Sequence, residues 1–414
     1  MTLPARNSLA VIGAGPIGLE AASAALDRGF DVHVFERGEV GDHVLAWGHV
    51  PLFTPWRMNL GPSGRVRLEA QGWTAPDPAS MPTGSELVTR GLAPLAGLPG
   101  MRERIHTHTQ IVHVSRRGCL KGDSIGADQR REFPFRLLAR DAGGRESFLH
   151  AYSVIDASGV YGQPNWAGDG GIPARGELYL APQMSYHVDD VRGLRRARHA
   201  GKRTLVIGGG ASAATVVSDL LELANEAPGT SIAWATRRPA SELYAPIRND
   251  SLPARARLYE KARTLLGSAD PRLIPITGVV VEGFEFNSAT HRYRVTLRRV
   301  DDAAAPRIEE VDAVIVNTGF GPDDSIYREL QVHECYASRG PMKLAAALLD
   351  SGAADCVTVP AFGADVLANP EPDFFILGNK SYGRNPHFLL ETGYRQVSDV
   401  IEKLARDQQV HAPA

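Results

Sequence analysis

Cysteine is scarce in this chain: its 414 residues hold only Cys119, Cys335 and Cys356, and no two of these are spaced as CxxC. That spacing excludes a redox-active dithiol motif and a thiolate zinc cluster, and it fits a reducing compartment, so a cytoplasmic location is expected. Long apolar runs are also missing, since none approaches the roughly 20 residues that span a bilayer. The apolar run after Arg6 imitates a secretory signal, but it carries Glu20 and several glycines and is read as part of the fold. Neither sign of charge dominates. Forty-five Lys and Arg against 47 Asp and Glu give a formal net charge of −2, which provides no electrostatic reason to bind nucleic acid or an anionic membrane. No side-chain nucleophile or catalytic triad stands out. What remains, 43% hydrophobic and 22% charged residues, is the composition of a soluble globular protein.

Glycine, by contrast, is plentiful, with 42 residues, and its placement reveals one plan used twice. A chain of this length is expected to form two or three domains. The first copy opens with the strand-like Leu9-Ala-Val-Ile12, followed by Gly13-Ala-Gly-Pro-Ile-Gly18 and a helical stretch to Arg28. Asp31–Glu36 reads as a second strand, residues 135–140 and 145–155 as a hairpin, and Val154-Ile-Asp-Ala-Ser-Gly159 as the closing strand. The second copy opens with Thr204–Ile207, then Gly208-Gly-Gly-Ala-Ser-Ala213 and a helix to Ala224. Ser231–Thr236 is its second strand, Gly278–Phe286 and His291–Val300 its hairpin, and Val314-Ile-Val-Asn-Thr-Gly319 its closing strand. The chain then continues through a strand at Asp373–Leu377, a turn at Gly378 and a helix from about His387 to Leu404. A tail of this length can complete the first domain, so the second copy is read as an insertion into the first.

The glycines carry chemistry. Gly13, Gly15 and Gly18 form GxGxxG between a strand and a helix. The first glycine permits the tight turn, the second lets the backbone approach a pyrophosphate, the third allows close helix–strand packing, and the helix N-terminus favours negative charge. Glu36, eighteen residues past Gly18, can accept hydrogen bonds from both ribose hydroxyls of a dinucleotide. Gly208, Gly210 and Ala213 repeat the signature with alanine in third place, but the following strand ends in Arg237 and Arg238 instead of an acid. A guanidinium pairs with the 2′-phosphate of NADPH, which an acid would repel, so this copy is expected to take NADPH. The alternative is that both arginines merely face solvent and the cofactor is NADH.

Together these features resemble the two-dinucleotide-binding-domain flavoproteins, and among them the flavin-dependent monooxygenases of the N-hydroxylating, flavin-containing and Baeyer–Villiger kinds. The motifs span nearly the whole chain: the first fingerprint ending in Glu36-Arg37, Ser158-Gly-Val-Tyr-Gly-Gln-Pro164, the second fingerprint with its arginines, Asn317-Thr-Gly-Phe320, and Phe375-Ile-Leu-Gly-Asn379. The resemblance implies an α/β fold of two Rossmann-like (glutathione-reductase-like) domains. The FAD domain would comprise 1–165 and 320–414, interrupted by an NADPH domain at 166–319. It implies that FAD is held by Gly13, Gly15, Pro16, Ile17, Gly18, Glu36, Arg37, Val112, Ser158, Gly159, Gly378 and Asn379. NADPH would be held by Gly208, Gly210, Ala211, Ser212, Ala213, Arg237, Arg238, Thr318 and Gly319. The departures are Asn379, where the wider superfamily often has aspartate, and an eroded monooxygenase motif in which Gly176, Tyr179 and His187 are wrongly spaced.

The implied activity is oxidation of NADPH with dioxygen, oxygenating a small-molecule nitrogen, sulfur or ketone through a flavin C4a-(hydro)peroxide. Such chemistry resides in the cofactor and needs no side-chain nucleophile. The same motifs would serve a flavin-dependent reductase or dehydrogenase passing electrons to a small molecule or carrier protein, or, without turnover, a nucleotide-sensing protein. A disulfide reductase needs a cysteine pair beside the flavin, and the sequence offers none. The expected partners are a small-molecule substrate and dioxygen; homo-oligomerisation is left open, and no metal is expected.

Several residues invite more than one reading. Trp56, Arg57 and His187 are candidates to line the flavin as catalytic groups, and equally candidates for packing. His106 and His108 could be metal ligands but, with no carboxylate or cysteine companion, read as an exposed strand face; Asp189-Asp190 could be a general-base pair but reads as a solvated helix start; and Arg384, Asn385 and His387 read as an approach to the cofactor. Residues 40–100, with Trp47, Trp56, Trp73 and many prolines, read as irregular loop on the substrate or flavin side.

Overall fold

A computed structural model describes residues 3–247, 250–301, 304–351 and 362–410; Cys356 lies outside them. The chain divides into two units, Met1–Gln163 with Gly321–Ala414, and Pro164–Phe320.

In the first unit the apolar run Ser8–Ile12 is buried along its whole length, because it lies in the middle of a parallel sheet covered on both faces. Across that sheet the strands run Phe374–Ile376, Ser153–Asp156, Ser8–Ile12, Asp31–Phe35 and Ile105–His106. Strand alternation sorts the core. Leu9 and Val11 join Ala21 and Ala25 of helix Pro16–Asp27 and Val397, Val400 and Ile401 of helix Leu390–Val410. Ala10 and Ile12 join Ile111, Val114, Phe135 and Leu137 of an antiparallel meander, Thr109–Arg116, Phe135–Asp141 and Glu146–Ala151. Each fully buried valine or leucine contributes on the order of 1.5–3 kcal/mol.

Three expectations need correction in this unit. The arm expected over 145–155 is two strands: Glu146–Ala151 stays in the meander, and after Tyr152 the chain enters the parallel sheet as Ser153–Asp156. Residues 40–100 are irregular only in part, chiefly over 46–55 and 70–83. They form short helices at Asp42–Leu45, Trp56–Asn59, Pro62–Glu69, Gly84–Leu87 and Ala93–Gly97. Pro62 starts its helix instead of breaking it, as a residue with no N–H to leave unpaired can. Buried Glu20 accepts the Ser63 and Gly64 N–H groups of that helix, both at 2.8 Å, and burial pushes its carboxyl above the ordinary value despite those bonds. Finally, His106 and His108 do not share a strand face: His106 stacks on His33 and Phe35, while His108, at φ 51°, bonds Glu39.

The second unit repeats the plan. Its parallel sheet runs Leu273–Thr277, Ser231–Thr236, Arg203–Ile207 and Ala313–Val316, with helix Ala211–Glu226 after the Arg203–Ile207 strand. In each unit the closing strand lies beside the opening one, Leu9 opposite Ser153 and Thr204 opposite Ala313, which is why VIDASG and VIVNTG match. The hairpin is present as Val279–Asn287 and Arg292–Arg299, but a third strand, Arg307–Val311, extends it. Asp189 is not solvated: it is buried, accepts the Ser185 hydroxyl at 2.5 Å and faces His199 Nε2 at 3.3 Å. The fold is thus α/β, with two Rossmann-like halves, one inserted within the other. No helix among the described residues is long and apolar enough to cross a membrane.

Candidate functional site

The parallel strands of the first unit end on a cleft of about 480 Å³, the place where open α/β sheets bind ligands. Eleven of the twelve residues expected to hold FAD line it: Gly13, Gly15, Pro16, Ile17, Glu36, Arg37, Val112, Ser158, Gly159, Gly378 and Asn379. The twelfth, Gly18, acts by contact instead. A Cβ there would lie 1.9 Å from the Gly13 carbonyl oxygen. Gly13, at φ 100°, passes so close to the closing strand that a Cβ would stand 2.8 Å from the Ala157 oxygen. Gly15 is different: nothing lies within 4 Å of its Cβ position, and no side chain caps the helix it starts. The turn therefore offers backbone N–H groups and open space together, which is what an anion needs.

The wall behind that space is tied together by polar contacts. Glu36 accepts the Ala14 N–H at 2.8 Å and the Gly38 N–H at 2.9 Å; a carboxylate has about four acceptor positions, so capacity remains for hydroxyls. Arg37 Nη2 meets His43 Nε2 at 2.9 Å. Burial, with the Arg37 charge second, holds His43 below its ordinary value, so at neutral pH it is a neutral acceptor for the guanidinium. Asp156 takes the Ser158 N–H and hydroxyl on one oxygen, at 3.1 and 2.6 Å, and Lys380 Nζ on the other at 2.6 Å. Lys380 also reaches Ser158 Oγ at 3.1 Å, and the Asp156–Lys380 pair is fully buried. Gly378, at φ 74°, donates its N–H to Gln396 Oε1 at 2.9 Å. Sequence reasoning missed His43, which lines the cleft, and Asp156 and Lys380, which hold Ser158 from behind it. Asp156 lies within the closing-strand motif at 154–159 and is the available signal; Lys380 directly follows Asn379.

The candidates Trp56 and Arg57 are not brought to the cleft. Trp56 is buried in the hydrophobic core and Arg57 faces solvent. His187 belongs to the second unit, where its ring stacks on Phe320 at 5.6 Å and its carbonyl accepts Asn317 Nδ2 at 3.1 Å.

The second unit places its own residues on one turn. Gly208, at φ 144°, would bring a Cβ within 2.3 Å of the Asn317 oxygen, whereas Gly210 again opens on free space. Ala211 and Ser212 begin the following helix, and Ala213, its third residue, is fully buried. Thr318 donates its hydroxyl to the Asn165 oxygen at 2.7 Å, beside Gly319 at φ 89°. Arg237 and Arg238, directly after strand Ser231–Thr236, are exposed. Among the described residues no group of His, Cys, Asp and Glu is arranged to hold a metal ion.

Comparison with known proteins agrees with this geometry. The sequence pattern of the pyridine nucleotide-disulphide oxidoreductase family matches residues 8–41, the first strand, glycine turn, helix and acid. No curated protein matches the chain by sequence. Among solved structures, the bacillithiol disulfide reductase Bdr of Bacillus cereus is similar at a TM-score of 0.66 and 17% identity, over 97% of this chain and 99% of that one. The cadaverine monooxygenase DfoA of Erwinia amylovora, solved with FAD bound, is similar at 0.63 and 13% identity, over 100% and 97%. The ornithine hydroxylase PvdA of Pseudomonas aeruginosa is similar at 0.61 and 16%, over 96% and 98%. The shared property is the fold, common to reductases and monooxygenases alike.

Proposed function

We propose that the chain is an FAD-dependent oxidoreductase that draws reducing equivalents from NADPH and acts as a monooxygenase on a small-molecule nitrogen, sulfur or ketone. The carrying observation is the make-up of the first-unit cleft: the flavin-motif residues meet there, and among the described residues no cysteine does. Cys119 and Cys335 are free and buried elsewhere, with Cys119 Sγ 3.2 Å from Arg130 Nη1. An enzyme that relays electrons through its own dithiol would need a pair beside the flavin.

Bound FAD would supply the two-electron transfer and the reaction with dioxygen. The chain's own groups then have recognition and positioning to perform. Gly15 and the uncapped start of helix Pro16–Asp27 suit the pyrophosphate. Glu36 retains acceptor capacity for the ribose hydroxyls, and Arg37 adds a guanidinium steadied by His43. Ser158, Gly159, Gly378 and Asn379 complete the wall. In the second unit the turn Gly208–Ala213 suits the phosphates of NADPH, and Arg237 with Arg238 its 2′-phosphate. Its proposed partners are dioxygen and a small molecule, and its proposed location is the cytoplasm.

A second reading is an NAD(P)H-dependent reductase that hands electrons to a small molecule or carrier protein; the likeness to bacillithiol disulfide reductase favours it. The two separate in one experiment. NADPH oxidation is screened against amines, thioethers and ketones, and the product of a stimulating compound is analysed after turnover under isotopically labelled dioxygen. Label in the product is expected. Unlabelled product formed equally fast without oxygen would assign the reductase reading instead.

A further inference from the structure

A turn that binds pyrophosphate must present N–H groups, not carbonyls, to the ligand. In the second unit the Gly208 and Gly210 carbonyls flank the N–H groups of the turn, and each accepts from a buried aromatic side chain. Trp234 Nε1 donates to the Gly208 oxygen at 2.9 Å, and the Tyr244 hydroxyl donates to the Gly210 oxygen at 3.1 Å. The Gly210 oxygen also takes the Ala214 N–H within the helix, at 3.1 Å.

Both donors are firmly held. Trp234 lies in strand Ser231–Thr236 and is fully buried. Tyr244 is 5% exposed and sits at φ 53°, a left-handed conformation that a bulky residue adopts only when its surroundings demand it. Arg263 Nη1 donates to the Tyr244 carbonyl at 2.5 Å. The Tyr244 ring lies 6.0 Å from that of Trp234 and 5.3 Å from that of Tyr259. Its neighbour Leu243 covers Gly209, where a Cβ would stand 2.8 Å from Leu243 Cδ2. The Cβ position of Gly210, in contrast, is open. Burial, with Tyr259 beside it, pushes the Tyr244 phenol above its ordinary value, so it stays a hydroxyl donor at neutral pH.

We infer that Trp234 and Tyr244 are positioning residues of the dinucleotide site, holding the Gly208 and Gly210 carbonyls toward the protein so that the N–H groups of the turn face the pyrophosphate. The inference rests on reading the second unit as the NADPH site. Because the pyrophosphate is common to NADPH and NADH, the hydroxyl of Tyr244 serves both nucleotides equally, unlike an arginine that reads the 2′-phosphate.

The test titrates the FAD-loaded protein with NADP⁺ and NAD⁺, comparing wild type with Tyr244→Phe, which keeps the ring and removes the donor. Loss of one hydrogen bond should weaken both nucleotides about fivefold, with their ratio and the FAD content unchanged and the melting temperature lowered by a few degrees, since the same bond is present without nucleotide. A purely structural role would lower the melting temperature and leave the affinities alone. Trp234→Phe removes the other donor and carries the same expectation for the affinities, with a larger fall in melting temperature because the side chain it shortens is fully buried; it replaces the first variant should that one not fold. Unchanged affinity in a folded variant, or a loss confined to NADP⁺, overturns the inference. A wild type that binds neither nucleotide overturns the NADPH reading itself.

Discussion

Gly15→Ala should leave the fold nearly untouched and weaken flavin binding, whereas Gly18→Ala should damage the fold itself. At Gly15 the backbone is extended, φ −81° and ψ −173°, and nothing stands within 4 Å of the new methyl. The position is a helix N-cap, where alanine is poorer than glycine by about 1 kcal/mol at most, so the ligand-free protein should melt within a few degrees of wild type. The methyl would occupy the space left for the pyrophosphate. Losing one charge-assisted hydrogen bond to phosphate costs about 1.5–3 kcal/mol, roughly a tenfold to hundredfold loss of FAD affinity. At Gly18 the Cβ would lie 1.9 Å from the Gly13 carbonyl oxygen, a backbone atom that cannot rotate away. Helix and strand would have to separate, at a cost of about 1–3 kcal/mol or more, before any ligand is added. The assay is the FAD-to-protein ratio together with melting curves without and with added FAD. Wild type at a thousandfold excess of FAD over its Kd should gain about 4 kcal/mol; Gly15→Ala should lose about 1.5–3 kcal/mol of that gain and little else. Wild-type flavin retention by Gly15→Ala, or wild-type melting of ligand-free Gly18→Ala, would refute the reasoning.

Arg237→Ala should weaken NADPH use on the order of tenfold while nearly sparing NADH; equal losses with both, in steady-state kinetics, would show that Arg237 does not read the 2′-phosphate. Lys380→Met should strand the buried Asp156 carboxylate and lower stability by about 3–5 kcal/mol. Adding Asp156→Leu should recover much of the melting temperature, because no lone charge then remains. Glu371 is fully buried, 2.8 Å from both Arg116 and Arg130; burial pushes its carboxyl up, but the guanidiniums and the Gln331 N–H outweigh this and hold it below the ordinary value. A depressed pKa stabilises the fold at neutral pH and loses that stabilisation as pH falls through and below the ordinary carboxylate range. Glu371→Gln should therefore lower stability at pH 7 and flatten its acid dependence, measured by urea titration across pH.

What the sequence made legible follows from steric necessity. Strands buried on both faces read as unbroken apolar runs, such as Leu9–Ile12 and Val314–Val316, and a glycine turn between such a run and a helix has few structural alternatives. The helices at Asp42–Leu45, Trp56–Asn59 and Pro62–Glu69 were opaque because they span too few turns to show a helical period, and the longer run 84–97 because the π-helical Val88–Leu92 at its centre shifts that period. Strand Arg307–Val311 was hidden by exposed charges at Arg307 and Glu310. Lys380 was opaque for another reason. A lysine after a glycine turn reads as solvated, and its partner Asp156 lies 224 residues away in sequence. For Trp56 and His187 the sequence leaves packing and flavin lining equally open, because aromatic and imidazole groups serve a core or a stacking contact as readily as a flavin pocket.

The duplicated plan also lets one half of the chain interpret the other. In both units the first glycine is required because the closing strand passes too near for a Cβ, at Ala157 and at Asn317, and in both the second glycine opens on free space. Geometry common to two turns with such different sequences points to a common demand, access of a diphosphate to backbone N–H groups. The units diverge at the residues that follow the second strand. Glu36 is drawn inward by the Ala14 and Gly38 N–H groups, leaving acceptors facing the cleft, while Arg237 and Arg238 stand exposed. A carboxylate suits two vicinal hydroxyls and opposes a third phosphate; a guanidinium does the reverse. On the proposed reading, repetition marks the two candidate nucleotide sites, and this divergence of charge favours a 2′-phosphate at the second and opposes one at the first.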